Sequence, residues 1–365
     1  MKRFSFIIVG WFIGASVLAQ ETATTEAESI VDKVTISGFM DIYYSYNMNN
    51  PGAFGNFGTN GVGRIFDGQH NQIAFNMIQT KVAYTSERLE IIGDLLFGPG
   101  GALANFGNTG SSIIIKQAYL AYGINDEWTF SIGQFGTHIG YELVDAPDNF
   151  HYSLSYLFGN GPFYHTGAKL DYTASDKLGF MIGILNGWDN LIDNNLAKSI
   201  ALQVSIMPND DFSLYLNWIG GDEDPSFVTG DSLKSFKHMI DLTTSYAVNK
   251  DFNVGVNAAI GFYKFDSQST KKWGGAALYL DYSLSNQFAL GFRAEVFDDV
   301  KGVQYVGASY VGYTLTGVIT TANEHLFIKP ELRFDTSNRN IYFKDDSGSV
   351  TDNQFTVGVA FIAKF

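Results

Sequence analysis

The sequence predicts an all-β protein, a transmembrane antiparallel up-and-down β-barrel of about sixteen strands. Through most of the chain, apolar residues alternate with polar residues or glycine, as in strands with one face toward lipid and one toward water. The 31 Phe and 20 Tyr, against only 7 Pro, suit many unbroken strands with aromatic girdles at the membrane interfaces. Beyond residue 20 no run of eighteen apolar residues occurs, which argues against helical membrane spans.

The start of the chain has the pattern of an export signal. Lys2 and Arg3 precede an apolar stretch that ends in small residues up to Ala19, so residues 1–20 are predicted to be a cleaved signal peptide. An uncleaved anchor helix is the alternative. Residues 21–32 are polar and predict a short periplasmic lead, and residues 33–365 predict the barrel itself. An exported barrel is expected in the outer membrane of a double-membraned bacterium.

Five short polar turns are each flanked by two apolar or aromatic residues six positions apart. Even spacing across such a turn places both side chains on the same face at the same depth. The pairs therefore predict a girdle on the lipid side at the periplasmic end. They are Tyr122 and Trp128, Tyr172 and Leu178, Ile206 and Phe212, Tyr246 and Phe252, and Tyr282 and Phe288.

Seven short periplasmic turns alternate with eight longer extracellular loops, which gives about sixteen strands. Fourteen or eighteen strands remain alternatives, because residues 71–85 change parity midway, as at a bulge, and residues 339–344 could extend a hairpin. The predicted strands are 33–47, 71–85, 88–98, 113–123, 127–135, 163–173, 177–187, 198–208, 211–220, 237–247, 251–265, 272–283, 287–297, 305–320, 324–335 and 353–365.

The fifteenth strand shows why a barrel is favoured over a soluble β-sandwich. Burying its charged face in a dry interior would be costly, and exposing its apolar face to water would leave a large sticky patch. A barrel places the apolar face in lipid and the charged face in a watery lumen; a sandwich with its polar face outward is the alternative. The apolar set is Leu326, Ile328, Leu332 and Phe334, and the charged set is Lys329, Glu331, Arg333 and Asp335.

The last strand alternates strictly and ends in Phe365, which is similar to the C-terminal signal by which outer-membrane barrels are recognised for insertion. Several stretches resemble the OmpL-like putative β-barrel porin family, convincingly over residues 34–190. This resemblance implies an outer-membrane porin, a diffusion channel whose motifs are not catalytic, and Glu142 fits the family pattern. The stretches are residues 36–51, 64–67, 116–123, 131–142 and 150–172.

The third long loop, residues 136–162, is the predicted pore constriction. It carries Glu142, Asp145 and Asp148, and on a ring of sixteen strands it faces a wall near Arg293, with Lys329 and Arg333 close by. One hypothesis is an eyelet in which acidic loop residues face this basic wall and create a transverse field. The alternative is that the wall cations form a salt-bridge ladder with Glu295, Glu331 and Asp335. Lys116 has the lipid-side parity of Tyr122 and is left out of the pore unless a bulge intervenes.

We therefore expect a porin that forms a water-filled channel for passive diffusion of small hydrophilic solutes or ions, with no enzyme activity, cofactor or metal. The alternatives are an adhesion or structural barrel acting through its loops, and a barrel hydrolase using His138, His151 and Asp145. Expected partners are the lipid bilayer, lipopolysaccharide, the barrel-assembly machinery through the C-terminal strand, small polar solutes and further copies in a homotrimer. A formal net charge of −14 argues against nucleic-acid binding.

Overall fold

A computed structural model describes residues 33–53, 55–59, 64–104, 113–195, 197–224, 235–265, 268–321 and 323–365. One antiparallel sheet of sixteen strands closes on itself, because the last strand pairs with the first. The strands are β1 (Val34–Ser37 and Phe39–Asn47, interrupted at Gly38), β2 (Ile73–Thr85), β3 (Leu89–Phe97), β4 (Ile113–Gly123), β5 (Trp128–Gly136), β6 (Tyr164–Ser175), β7 (Leu178–Leu185), β8 (Ser199–Asn209), β9 (Phe212–Gly221), β10 (Ser235–Ala247), β11 (Phe252–Phe265), β12 (Lys271–Ser283), β13 (Phe288–Asp298), β14 (Ser309–Thr321), β15 (Leu326–Ser337) and β16 (Asn353–Lys364). The predicted fold class and strand number are confirmed.

Helical segments are few among the described residues and lie in the long loops. They are helix α1 (Pro99–Ala104), helix α2 (Tyr156–Asn160) and the 3-10 turns Gly55–Phe57 and Ala146–Asp148. In the part of the chain that the structure describes, no helix has the length and apolar character needed to cross a membrane. The last long loop contains a separate hairpin of Tyr342–Phe343 and Val350–Thr351, so this region adds no strand to the barrel. The predictions of a signal peptide at 1–20 and a lead at 21–32 lie outside the described residues.

The two faces of each strand meet different surroundings, as the alternation predicts. On β7, Phe180, Ile182 and Ile184 point outward and are 42%, 51% and 56% exposed, whereas Met181 and Leu185 are buried on the inner side. An apolar outer surface of this kind is stable only against hydrocarbon. The inner side is filled by polar side chains and by loops that fold into the barrel.

The aromatic girdle forms in register at the short-turn end. Trp128 of β5 lies opposite Tyr172 of β6, and the two rings stack with centroids 4.3 Å apart. Farther around the barrel, Phe212 pairs with Tyr246, with ring centroids 6.3 Å apart, and Phe252 pairs with Tyr282, with ring centroids 6.2 Å apart. Residues from neighbouring predicted pairs therefore lie at the same height. This confirms the interfacial girdle expected from the six-residue spacing.

Two bulges redirect side chains within the wall. Asp41 pairs with Met77 and Ile42 with Phe75, so Asn76 is the extra residue that changes the parity of β2, as predicted. In β4, Gln117 lies opposite Asp94 of β3 and Ile115 lies opposite Leu95 of β3, so Lys116 is an extra residue in the same way. The second bulge was not predicted, and it turns Lys116 toward the lumen.

Strand β14 begins at Ser309 rather than at residue 305, which corrects the predicted boundary. The carboxylate of Asp299 accepts hydrogen bonds from the backbone N–H groups of Val303, Gln304 and Val306, at 2.7–3.1 Å. Local side-chain bonds of this kind compete with strand pairing and hold the segment in a turn.

The chain terminus completes the closure of the barrel. Gly38 and Phe365 exchange two backbone hydrogen bonds of 3.1 and 3.0 Å. A Cβ at position 38 would lie only 2.1 Å from the carbonyl oxygen of Gln79, so a larger residue would displace the backbone there. The ring of Phe365 is 61% exposed on the outer surface.

Candidate functional site

The loop between β5 and β6, residues 137–163, folds into the barrel and crosses its lumen; we call it the inward loop. Its first part reaches the far wall, where the Gly140 N–H donates to Asp241 of β10 at 3.0 Å. The Tyr141 ring stacks on Tyr279 of β12 with centroids 4.4 Å apart. Farther along, the backbone carbonyl of Ala146 accepts a hydrogen bond from Lys329 of β15 at 2.8 Å.

Five charged residues, which we call the latch, hold the inward loop on strands β13 and β15. Glu142 of the loop pairs with Arg293 at 2.7 Å, and Arg293 contacts Glu295 at 3.2 Å. Arg333 contacts the same Glu295 at 3.3 Å and Asp335 at 2.8 Å. All five side chains are almost fully buried. The loop–wall contact and the salt-bridge ladder, posed as alternatives from sequence, are therefore present together.

The same wall satisfies backbone groups of the inward loop. The Glu295 carboxylate accepts the Tyr156 N–H at 2.6 Å, and Glu331 accepts the Tyr152 N–H at 2.9 Å. Arg333 donates to the carbonyl of Leu154 at 2.7 Å. Buried backbone groups left without partners would be costly, so these contacts specify one docked position for the loop.

The predicted basic wall does not face open water. Arg293, Lys329 and Arg333 are 0%, 1% and 1% exposed, because carboxylates and carbonyl groups of the loop and the wall cover them. Glu142 of the loop does face this wall, in direct contact with Arg293, whereas a transverse field from these charges stays a prediction. Neighbouring opposite charges largely cancel the field that they would project into a channel.

Open space lies on the other side of the inward loop. A cavity of about 260 Å³ separates the loop from β2 and strands β4–β10. On the loop side the cavity is lined by Asp145 and the exposed Asp148, and neither residue belongs to the latch. The opposite wall contributes Lys81, Lys116, Lys169, Asp171, Gln203 and Tyr215.

Lys116 lines this cavity, although the sequence analysis placed it on the lipid side and left it out of the pore. Because of the bulge in β4, its ammonium group lies 3.4 Å from Asp94 and forms an ion pair with Asp145 of the inward loop. The signal was available in the sequence, since a lysine at a lipid-facing position in the middle of a spanning strand is itself unfavourable. Such a charge indicates a local change of parity.

A second cavity, of about 640 Å³, lies at the short-turn end; we call it the vestibule. Its lining includes Asp211 and Lys250 in the turns and Asp281 on β12. Tyr215 of β9 lines both this vestibule and the smaller cavity beside the inward loop. Its ring therefore stands where a path from one to the other would pass.

The residues considered for hydrolysis are not assembled. His138 Nε2 lies 3.2 Å from the carbonyl oxygen of Trp218, and burial lowers the pKa of His138 to about 4. His151 bonds to the hydroxyl of Thr316 at 2.7 Å, and Asp145 is paired with Lys116. Within the described ranges, no group of three or more histidine or acidic residues is placed to hold a metal ion.

Comparisons with known proteins agree with a channel architecture. The profile of the family described as putative beta-barrel porin-2, OmpL-like, matches residues 33–365. The anion-selective porin from Comamonas acidovorans is similar with a TM-score of 0.60 at 13% identity, covering 91% of this chain and 99% of that one. OprB of Pseudomonas putida is similar with a TM-score of 0.58 at 10% identity, covering 92% of this chain and 95% of that one. The outer membrane channel DcaP of Acinetobacter baumannii is similar with a TM-score of 0.57 at 12% identity, covering 91% of this chain and 97% of that one. No curated protein matches the sequence.

Proposed function

Because this chain belongs to the family described as putative beta-barrel porin-2, OmpL-like, we propose that it is a bacterial outer-membrane channel through which small hydrophilic solutes and ions diffuse passively. The observation that carries this proposal is the space with a polar lining that the inward loop leaves open inside the barrel. The cavity of about 260 Å³ has space for several water molecules, each of which occupies roughly 30 Å³ in the liquid. Tyr215 lines both this cavity and the vestibule, and we infer that the two spaces form one path that passes this residue.

The lining of this path supports weak rather than strong ion selectivity. Lys81, Lys116 and Lys169 stand on one side, while Asp145 and Asp148 stand on the loop side. A strongly anion-selective pore needs an excess of unpaired cations, and here Lys116 is paired with Asp145. The similar protein from Comamonas acidovorans is described as anion-selective, but the mixed lining of this chain favours only mild discrimination.

Membership of a porin family points to a channel rather than an enzyme, and we propose that the protein has no catalytic activity. The test is single-channel recording of the purified barrel in planar bilayers, together with solute flux in liposomes. Stepwise conductance and flux of small sugars are expected. Absence of both would overturn the proposal and favour an adhesion or structural barrel acting through its loops.

We further propose that residues 1–20 are removed on export and that the strand ending in Phe365 is presented to the barrel-assembly machinery. The charge and apolarity pattern of the first twenty residues supports the first point, and the exposed terminal ring supports the second. The mass of the protein recovered from outer membranes tests the cleavage. Assembly as a homotrimer also stays a prediction, which chemical crosslinking in the membrane tests.

A further inference from the structure

The outer surface of the barrel carries one compact group of aromatic and cationic side chains at its long-loop end. It comprises Phe236 and His238 on β10, Phe262 and Lys264 on β11, and Lys272 on β12; we call it the rim patch. Strand register places His238 beside Phe262, Phe262 beside Lys272, and Phe236 beside Lys264. The five side chains thus form one contiguous surface on three adjacent strands.

The rim patch faces outward and sits directly above the apolar belt. Lys264 and Phe262 share the parity of Ile260, which is 37% exposed, and His238 shares that of Ile240, which is 41% exposed. The rings of His238 and Phe262 stack nearly parallel, with centroids 4.8 Å apart and 12° between their planes. Aromatic rings followed by lysines, moving away from the belt, match the order from acyl chains to headgroups in a membrane leaflet.

Both lysines of the rim patch are exposed and lack a carboxylate partner within 4.0 Å among the residues that the structure describes. The neighbouring acid is Asp298, which pairs with Gly274, the residue two positions after Lys272 on the same strand. The Oδ1 atom of Asp298 accepts a hydrogen bond from the Val300 N–H at 3.1 Å. Lys264 and Lys272 are diagonal neighbours across a strand pair, a relation that puts the two residues roughly 7–8 Å apart. Their flexible four-carbon stems allow both ammonium groups to reach one anion.

We propose that the rim patch binds the phosphate group of a lipid headgroup in the outer leaflet. Lys264 and Lys272 contact the phosphate oxygens, while the stacked His238 and Phe262 rings and the Phe236 ring pack against the upper part of the lipid. The partner is a membrane lipid rather than a soluble anion, because the patch faces away from the lumen and is continuous with the lipid-facing surface. The inference rests on the proposed placement of the barrel in an outer membrane with its long loops outside.

The test is a titration of the detergent-solubilised barrel with lipopolysaccharide, with bound lipid counted by native mass spectrometry. Lys264→Gln together with Lys272→Gln is expected to weaken binding roughly thirtyfold, since each lysine near an anionic surface contributes a factor of about five. Lipopolysaccharide stripped of its phosphates is expected to bind the wild-type barrel as weakly as the intact lipid binds this variant. The matched control is Lys301→Gln with Lys344→Gln, two lysines outside the rim patch.

Equal binding by wild type and the double variant, or equal binding of the two lipid forms, would overturn the proposal. Displacement of the lipid by millimolar inorganic phosphate would also overturn it, since the site would then serve a soluble anion. Channel conductance of the double variant is recorded in parallel and is expected to be unchanged, because neither lysine lines the path. A barrel that binds lipid through this patch without conducting would refute the channel but leave the lipid site intact.

Discussion

Glu142 of the inward loop and Arg293 of strand β13 form a buried ion pair inside the barrel, with 2.7 Å between Oε1 and Nη1. The two residues are 151 positions apart in sequence, yet neither is exposed to bulk water. Glu142 also accepts the Ser155 N–H at 2.8 Å, so one carboxylate joins both ends of the loop to the wall. The width of the remaining path therefore depends on this pair.

Glu142→Gln is expected to release part of the inward loop, because it removes one charge and leaves Arg293 buried with Glu295 alone. Breaking a buried ion pair from one side costs about 3–5 kcal/mol. We expect a lower midpoint of unfolding in denaturant and a larger, more variable single-channel conductance. Glu127→Gln, in an exposed short turn, is the control. A Glu142→Gln barrel with wild-type conductance and noise would show that the pair does not set the path.

The strands and girdle could be predicted from sequence because a two-residue period and a short turn are local signals. The docking of the inward loop could be predicted only in outline. Arg293 and Lys329 were placed on the correct face, but nothing local shows that loop carbonyls and carboxylates would cover them. Lys116 was assigned to the wrong face because a single bulge inverts parity from that residue onward. The open side of the lumen follows from these long-range contacts and could not be derived beforehand.

Tyr215→Ala is expected to widen the junction between the cavity and the vestibule. The phenol ring lines both spaces, so its removal raises conductance and admits larger sugars in liposome swelling assays. Tyr119→Ala is the matched control, since this buried tyrosine on β4 is not among the lining residues of either space. Equal size limits for wild type and Tyr215→Ala would place the narrowest point elsewhere.

Ion selectivity should follow the charges that line the path rather than the wall charges of the latch, which line neither cavity. Lys116→Gln with Lys169→Gln removes two positive charges and is expected to shift the reversal potential in a salt gradient toward cations. Asp145→Asn with Asp148→Asn is expected to shift it toward anions. Both shifts should shrink at molar salt, where the Debye length is about 3 Å. Lys301→Gln with Lys344→Gln, two exposed lysines that line neither space, controls for net charge; an equal shift there would refute a local effect.

Docking of the inward loop should weaken in acid because it buries neutral histidine. Burial lowers the pKa of His138 to about 4, with Lys169 adding to the effect, whereas an unfolded histidine has a pKa of about 6.5. The folded state therefore binds fewer protons than the unfolded chain between these values. Its stabilisation is complete above pH 6.5 and declines as the pH falls toward 4.

We expect conductance fluctuations to increase as the pH is lowered from about 6.5 to about 4, the interval spanned by the two pKa values. His138→Gln retains an amide N–H that can donate to the Trp218 carbonyl but cannot titrate, so fluctuations should begin at lower pH. They should not vanish, because burial also holds the pKa of His151 well below its ordinary value. His325→Gln, at an exposed turn, is the control. Identical pH profiles for wild type and His138→Gln would mean that His138 does not control the docking of the loop.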